Sequence, residues 1–308
     1  MRHFLADDDL SPDEQARVLE LASSLKQAPH DARPLEGPRT VAMIFDKPTL
    51  RTQASFAAGI AELGGYPMLV DGTLAGIGRR ESVADVARVL GRQASMIVWR
   101  TFAQSALEEM AAYAGVPVVN ALTDEFHPCQ LLADLQTVRE HKGELSGLRV
   151  AFVGDGACNM GNSWLLAGAT AGMHVVIGAP PEYVPHQEMF DRAARIATGT
   201  GGSVVAESDP RAAVEDADVV VTDTWVSMGK EDEAAARREI FAPYQVTPEL
   251  MALARPEAIV MHCLPAYRDA EIATEVLDGP QSVVWDEAEN RRHAQKAILQ
   301  FLIGSGDD

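Results

Sequence analysis

Basic residues are scarce in this chain. Lysine and arginine together number 26 against 45 aspartates and glutamates, a net charge of −19 over 308 residues. Nucleic acids and anionic membrane surfaces both need a basic face to dock on, so neither is expected as a partner. Cysteine is scarcer still. Cys129, Cys158 and Cys263 are too few and too scattered for a disulfide framework, and their spacing fits no zinc knuckle, so no metal is expected. No apolar run approaches the roughly 18 residues of a membrane span. The opening Met1-Arg2-His3-Phe4-Leu5-Ala6 lacks a signal-peptide core. These absences point to a reducing, cytoplasmic compartment. They also mean that any anionic ligand must be met by a local concentration of the few basic side chains.

What is present is ordinary globular composition, 47% hydrophobic and 23% charged. The length exceeds what one core holds comfortably, so two domains of about 150 residues are expected. Ser11-Pro12-Asp13-Glu14 opens a helix, with an N-cap serine, a proline at the first helical position and acids in the first turn. Strands are then expected at 40–45, 66–70, 96–100 and 116–120, with helices at 55–63, 82–92 and 104–114 between them. A helix over 128–142 is followed by a break at 143–147. A second series has strands at 149–154, 174–179, 203–207, 218–222 and 259–263, and a last amphipathic helix covers 289–303. Alternation of this kind predicts an α/β fold of two similar-sized domains, each a mostly parallel sheet flanked by helices. The expected boundaries are 1–140 and 141–288, with 289–308 returning to the first domain. In such sheets ligands sit beyond the carboxyl ends of strands, and every polar motif here follows a strand.

The most informative stretch is 45–56, where an apolar strand ends in Lys47-Pro48 and Thr49, Arg51 and Thr52 crowd ahead of a small-residue helix. Helix-start N–H groups, hydroxyls and a guanidinium fork make a phosphate cradle, although a surface arginine after a capping threonine reads the same way. Arg100 closes the third strand and is either a second cation for that anion or a strand reaching water. His127-Pro128-Cys129-Gln130 starts a helix. Proline there leaves His127 at the N-cap, where the dipole disfavours the imidazolium and leaves a neutral donor able to polarise a carbonyl. Gln130, one turn on, suits an amide-like group. A satisfied structural histidine is the plainer alternative.

Gly154-Asp155-Gly156 through Gly161 looks like a dinucleotide fingerprint, but its glycine spacing is wrong and the next strand ends in Gly178-Ala179 rather than an acid. Asn159 at that helix start suits a zwitterion instead. After a buried strand, Asp223 can hold an ammonium, and Ser227 and the Met228 backbone can hold polar ends of the same ligand. A capped loop is the bland reading. Cys263, in His262-Cys263-Leu264-Pro265, is either an ordinary buried thiol or a polar contact beside a reacting amine. Arg291, beside acids at the start of the last helix, means little alone.

Taken together, Thr49-Leu50-Arg51-Thr52, Trp99-Arg100-Thr101, Glu125 through Asp134, Asn159-Met160-Gly161-Asn162, Asp223 through Gly229, His262 through Pro265 and Asp286 through Arg291 resemble the ornithine carbamoyltransferase family over essentially the whole chain. The Ser227-Met228-Gly229 and His262-Cys263-Leu264-Pro265 segments match the ornithine branch rather than the aspartate branch. The resemblance implies a cytoplasmic enzyme of arginine biosynthesis that needs no cofactor. It implies a homotrimer with sites at subunit junctions, whose two domains bind carbamoyl phosphate and L-ornithine. Thr49, Leu50, Arg51, Thr52 and Arg100 would hold the phosphate, and His127, Arg100 and Thr52 would polarise the carbonyl. Gln130, the Leu264 carbonyl and Arg291 would orient the carbamoyl group. Asn159, Asp223, Ser227 and Met228 would grip ornithine, with Cys263 near its side-chain amine.

The sequence departs from the family pattern at Leu50, which lacks a hydroxyl, at Gln53, which lacks a charge, and at Gly76, where a glutamine usually stands. Each lost contact is expected to weaken phosphate binding by about 1–3 kcal/mol. Two rivals therefore stay open: a transcarbamoylase for another amine in a specialised pathway, and a catalytically weakened relative that binds amino acid or partner proteins.

Overall fold

The computed structural model describes residues 1–226 and 231–304. It divides into two compact units, one formed by Met1–Gln136 with Glu289–Asp308 and the other by Thr137–Ala288. The first unit opens with α1 (Pro12–Gln27), closed by a capping box in which Ser11 accepts the Glu14 N–H and Glu14 accepts the Ser11 N–H. Then follow β1 (Thr40–Phe45), α2 (Arg51–Glu62), β2 (Tyr66–Asp71), α3 (Gly72–Ala75), α4 (Val83–Leu90), β3 (Met96–Arg100), α5 (Gln104–Ala114) and β4 (Val118–Leu122). All four strands are parallel, in spatial order β2-β1-β3-β4. β1 and β3 are buried along almost their whole length because helices cover both faces, which is why they read as continuous apolar runs. On one face Ala42, Ile44, Ile97 and Trp99 pack with Ala87, Leu107 and Met110.

α6 (Pro128–Lys142) carries the chain onward. The second unit holds β5 (Arg149–Val153), α7 (Asn159–Thr170), β6 (His174–Gly178), α8 (Gln187–Thr200), β7 (Ser203–Glu207), α9 (Pro210–Val214), β8 (Val219–Thr222), α10 (Ala234–Phe241), α11 (Pro248–Met251), β9 (Ile259–His262) and α12 (Thr274–Leu277). Its five parallel strands run β7-β6-β5-β8-β9. α13 (Val284–Gly304) ends the described chain. From Glu289 on it belongs to the first unit, where the fully buried Lys296 donates to the Pro29 carbonyl at 2.9 Å and to Glu62 Oε2 at 2.7 Å. Gly59 makes that approach possible, since a Cβ there would lie 2.9 Å from Lys296 Cγ.

Several boundaries differ from the sequence reading. α2 begins at Arg51, not residue 55, because Thr49 Oγ1 accepts the Thr52 N–H (3.4 Å) and caps it early. β4 is displaced to Val118–Leu122, as Pro117 has no N–H for the ladder. α13 starts at Val284, placing Asp286 and Glu287 in its first turn, where acids favour the dipole. α10 has no counterpart among the expected helices.

Each sheet has one switch point, where neighbouring strands lead their connections in opposite directions along the sheet. In the first unit it lies between β1 and β3, and in the second between β5 and β8. Ligand crevices form there in open parallel sheets.

Candidate active site

At the switch point of the first unit, the segment after β1 supplies Thr49 through Thr52 and the end of β3 supplies Arg100. The pairing of β3 with β4 shifts register between Trp99 and Arg100, a bulge that turns the strand end. Arg100 is 7% exposed, and its Nη1 donates to Thr52 Oγ1 at 3.4 Å. Arg291, 3% exposed, donates from Nη2 to the same oxygen at 2.8 Å and from Nη1 to Gln130 Oε1 at 2.6 Å. Two guanidinium donors occupy both lone pairs of the Thr52 hydroxyl, so its own proton points elsewhere, available to an anion. Gln130 is held in turn by Asp134, whose Oδ1 accepts from Nε2 at 2.7 Å. Arg51 opens α2, half-buried; its carbonyl accepts the Ser55 hydroxyl at 2.8 Å, while its guanidinium is bonded to no group among the described residues. Thr49 contributes its oxygen to the helix cap. Leu50 is 78% exposed and makes no side-chain cap bond, so only its backbone can serve a ligand.

His127 sits at the start of α6, its carbonyl accepting the Gln130 N–H at 2.9 Å. Burial first, then the charges of Arg291, Arg100, Lys47 and Arg51, drive its pKa well below the ordinary imidazole value. The ring is therefore neutral at physiological pH. Below the unfolded value of about 6.5 the unfolded chain gains a proton that native His127 refuses, so stability falls as pH falls. Between pH 6.5 and 5.0 this group is expected to remove up to about 1.7 kcal/mol. Urea unfolding at both pH values should show that slope reduced in His127→Gln.

Lys47 escaped the sequence reading, which took Lys47-Pro48 as a strand break. It is 7% exposed, paired with Asp124 and 4.4 Å from the centroid of the Phe102 ring, a buried cation at the same strand end. Lys47 lies two residues beyond the end of β1, and its pairing with Asp124 reaches across 77 residues of chain, which no local pattern shows.

The second unit gathers another set at its switch point. Asn159 is the first residue of α7, after β5, and Asp223 follows β8. Asp223 Oδ1 accepts the Thr224 N–H at 2.7 Å and the Cys263 thiol at 3.3 Å. Its pKa is raised, chiefly by removal from water and slightly by Glu271, against the opposing pull of His262 and these hydrogen bonds. Ser227 and Met228 lie outside the described residues.

The segment after β9 is fixed by a chain of bonds that sequence reading passed over. Leu264 takes a left-handed φ of 57°, costly for a branched side chain. Its N–H donates to His262 Nδ1 at 2.9 Å, which places the ring proton on Nε2, 3.1 Å from Glu271 Oε1. Glu271 also accepts the Tyr267 N–H at 2.5 Å, and the His262 N–H goes to Glu287 at 2.9 Å. Ligand atoms of Asp223, His262 and Cys263 lie within 4.8 Å of one another, but both His262 nitrogens are committed, so the trio is not a ready metal site. Cys129 donates to the Asn120 carbonyl (3.3 Å) and burial pushes its thiol up to about 12, which leaves it inert.

Residues 2–140 match the carbamoyl-phosphate-binding domain, and residues 146–302 the Asp/Orn-binding domain, of aspartate/ornithine carbamoyltransferases. The chain belongs to the aspartate/ornithine carbamoyltransferase family. An ornithine carbamoyltransferase of Clavibacter michiganensis is 61% identical over 302 residues, 98% of either chain. The crystal structure of ornithine carbamoyltransferase from Pyrococcus furiosus superposes with a TM-score of 0.94 at 43% identity, covering 98% of this chain and 97% of that one. An anabolic ornithine carbamoyltransferase from Campylobacter jejuni gives 0.93 at 37% identity, covering 99% of this chain and all of that one. Gly76 is the C-cap of α3 at φ 68°, a left-handed conformation in which any side chain would be strained.

Proposed function

We propose that this family member transfers the carbamoyl group of carbamoyl phosphate to the side-chain amine of L-ornithine, giving L-citrulline and phosphate, as a step of arginine biosynthesis. The observation that carries the reading is the meeting of Arg100 and Arg291 on Thr52, beside Gln130 and a neutral His127. It answers the charge problem posed by the sequence: in a chain of net charge −19, cations are concentrated where one small dianion would sit.

Thr49 through Thr52 and Arg100 bind the phosphate, with Arg51 supplying a guanidinium not committed to protein. His127, Arg100 and the Thr52 hydroxyl meet negative charge as it builds on the carbonyl oxygen. Gln130, Arg291 and the Leu264 carbonyl orient the carbamoyl nitrogen. Asn159, Asp223, Ser227 and Met228 hold the amino acid, and Cys263 lies beside the attacking amine. A deprotonated amine attacks the carbonyl carbon, the carbon–oxygen bond to phosphate breaks, and the proton shed by the attacking nitrogen leaves on the phosphate, whose charge arginine neutralises. Preorganised donors and orientation supply the rate, without a covalent intermediate. We take the working enzyme to be a cytoplasmic homotrimer; among the described residues no helix is long and apolar enough to cross a membrane.

Steady-state citrulline formation, measured alongside carbamoylation of acetylornithine, putrescine and aspartate, tests the reading. Ornithine is expected to give the highest kcat/KM by at least about a hundredfold: a site built to bond both α-groups rejects acetylornithine and putrescine, which lack one or both, and aspartate has no side-chain amine to carbamoylate. Preference for another acceptor would remove ornithine, and no turnover with any would remove the reaction.

A further inference from the structure

Two turns of the second unit carry residues assigned above to ornithine. One follows β5 and runs from Gly154-Asp155 to Asn159; the other follows β8 and runs Asp223-Thr224-Trp225. A side chain from neither turn ties them together. Arg237, on α10, is 3% exposed. Its Nε donates to the Trp225 carbonyl at 2.5 Å, and its Nη2 donates to Asp155 Oδ2, on a carboxylate that is itself 3% exposed. The guanidinium lies 5.1 Å from the Tyr183 ring centroid and 5.3 Å from that of Phe241, on which Trp225 stacks at 5.9 Å.

A buried ion pair is poor evidence of a stabilising role, because desolvation offsets most of its attraction and well-packed apolar groups would serve as well. What an apolar pair cannot do is fix two backbone segments at one separation. The planar guanidinium holds its donors in a rigid fork, so one plane sets both the Trp225 carbonyl and the Asp155 carboxylate. Lysine, a point charge on a flexible stem, can satisfy one of them at a time.

We propose that Arg237 is a positioning residue for the amino acid substrate: by bridging the turns after β5 and β8, it sets the spacing between Asn159 and Asp223. It touches no substrate. The inference rests on the reading of Asn159 and Asp223 as ornithine's partners, and Asp223→Asn tests that reading separately.

The experiment is two-substrate steady-state kinetics with thermal melting on the full chain, for Arg237→Lys, Asp155→Asn and the double variant. In Arg237→Lys the KM for ornithine is expected to rise about tenfold, as Asn159 and Asp223 lose their set spacing, while the KM for carbamoyl phosphate stays within twofold. Asp155→Asn keeps the shape and is expected to raise the ornithine KM several-fold. The double variant should be no worse than Arg237→Lys, as the two residues act as a unit. If Asp223→Asn raises the ornithine KM while both single variants leave it within twofold, the positioning role is refuted alone. Parallel rises in both KM values with a broadened melt would mean general loosening and also overturn it. An unchanged ornithine KM in Asp223→Asn would overturn the underlying assignment, and this inference with it. Should Arg237→Lys fail to fold, Asp155→Asn decides by the same criteria.

Discussion

Arg51→Ala is expected to lower turnover by about a thousandfold or more while leaving the melting temperature within roughly 2 °C of the parent. The two halves of that result have separate causes. The Arg51 guanidinium is bonded to no described group, so removing it breaks nothing in the resting fold, and surface truncations of that kind stay within about ±0.5 kcal/mol. Arg100 and Arg291, by contrast, are buried and locked on Thr52, so each serves as scaffold and ligand at once. Arg51 is the cation of the set that waits for an anion. Its effect should appear mainly as charge neutralisation on departing phosphate, hence in kcat. Arg195→Ala, on the exposed surface of α8, should leave turnover nearly intact. A kcat/KM for Arg51→Ala within tenfold of the parent would show that the phosphate is held elsewhere.

Asp223→Asn is expected to separate function from stability in opposite directions. Loss of the carboxylate should raise the ornithine KM by about 10- to 150-fold, the worth of a hydrogen bond to a charged partner. At neutral pH the same change should raise the melting temperature. The Asp223 carboxyl has a raised pKa because burial disfavours its ionised form. A raised carboxyl pKa means that ionisation costs the native state more than the unfolded one. That penalty is full above the native pKa, shrinks as pH falls through it, and vanishes below the ordinary carboxylate range. Asparagine removes the penalty and can still accept the Thr224 and Cys263 bonds. Melts at pH 7.5 should show the variant ahead of the parent, and melts near pH 3.5 should show the gap closed. A variant less stable at pH 7.5 would mean that the carboxylate is a structural anchor instead of a site held at a cost for binding.

Much of the molecule was legible without coordinates because its signals are local. Alternating apolar runs and amphipathic stretches require a two-sheet α/β architecture, since helices on both faces are what bury strands with no polar side. Proline after His127 marks a helix start, and helix starts present N–H groups to anions wherever they occur. The segments that were misjudged depend on partners distant in sequence or on a single cap. α2 starts four residues early through one threonine oxygen, and α10 is a short helix held by Arg237, which besides Glu233 on the preceding turn bonds the distant Asp155 and the Trp225 carbonyl.

By itself, then, the sequence determined the strand–helix alternation, the positions of the polar segments at strand ends and the excess of acid that forces cations to cluster. The tertiary structure alone decided the strand orders β2-β1-β3-β4 and β7-β6-β5-β8-β9, and with them which strand ends flank the switch point of each sheet. It also turned Arg291, unremarkable on its own helix, into a donor to Thr52 across 239 residues of chain. The reason is physical: local pattern fixes the direction of a side chain relative to its own backbone, whereas convergence of charges depends on which strands become neighbours. That choice is made by packing of the whole sheet, which no short stretch of sequence encodes.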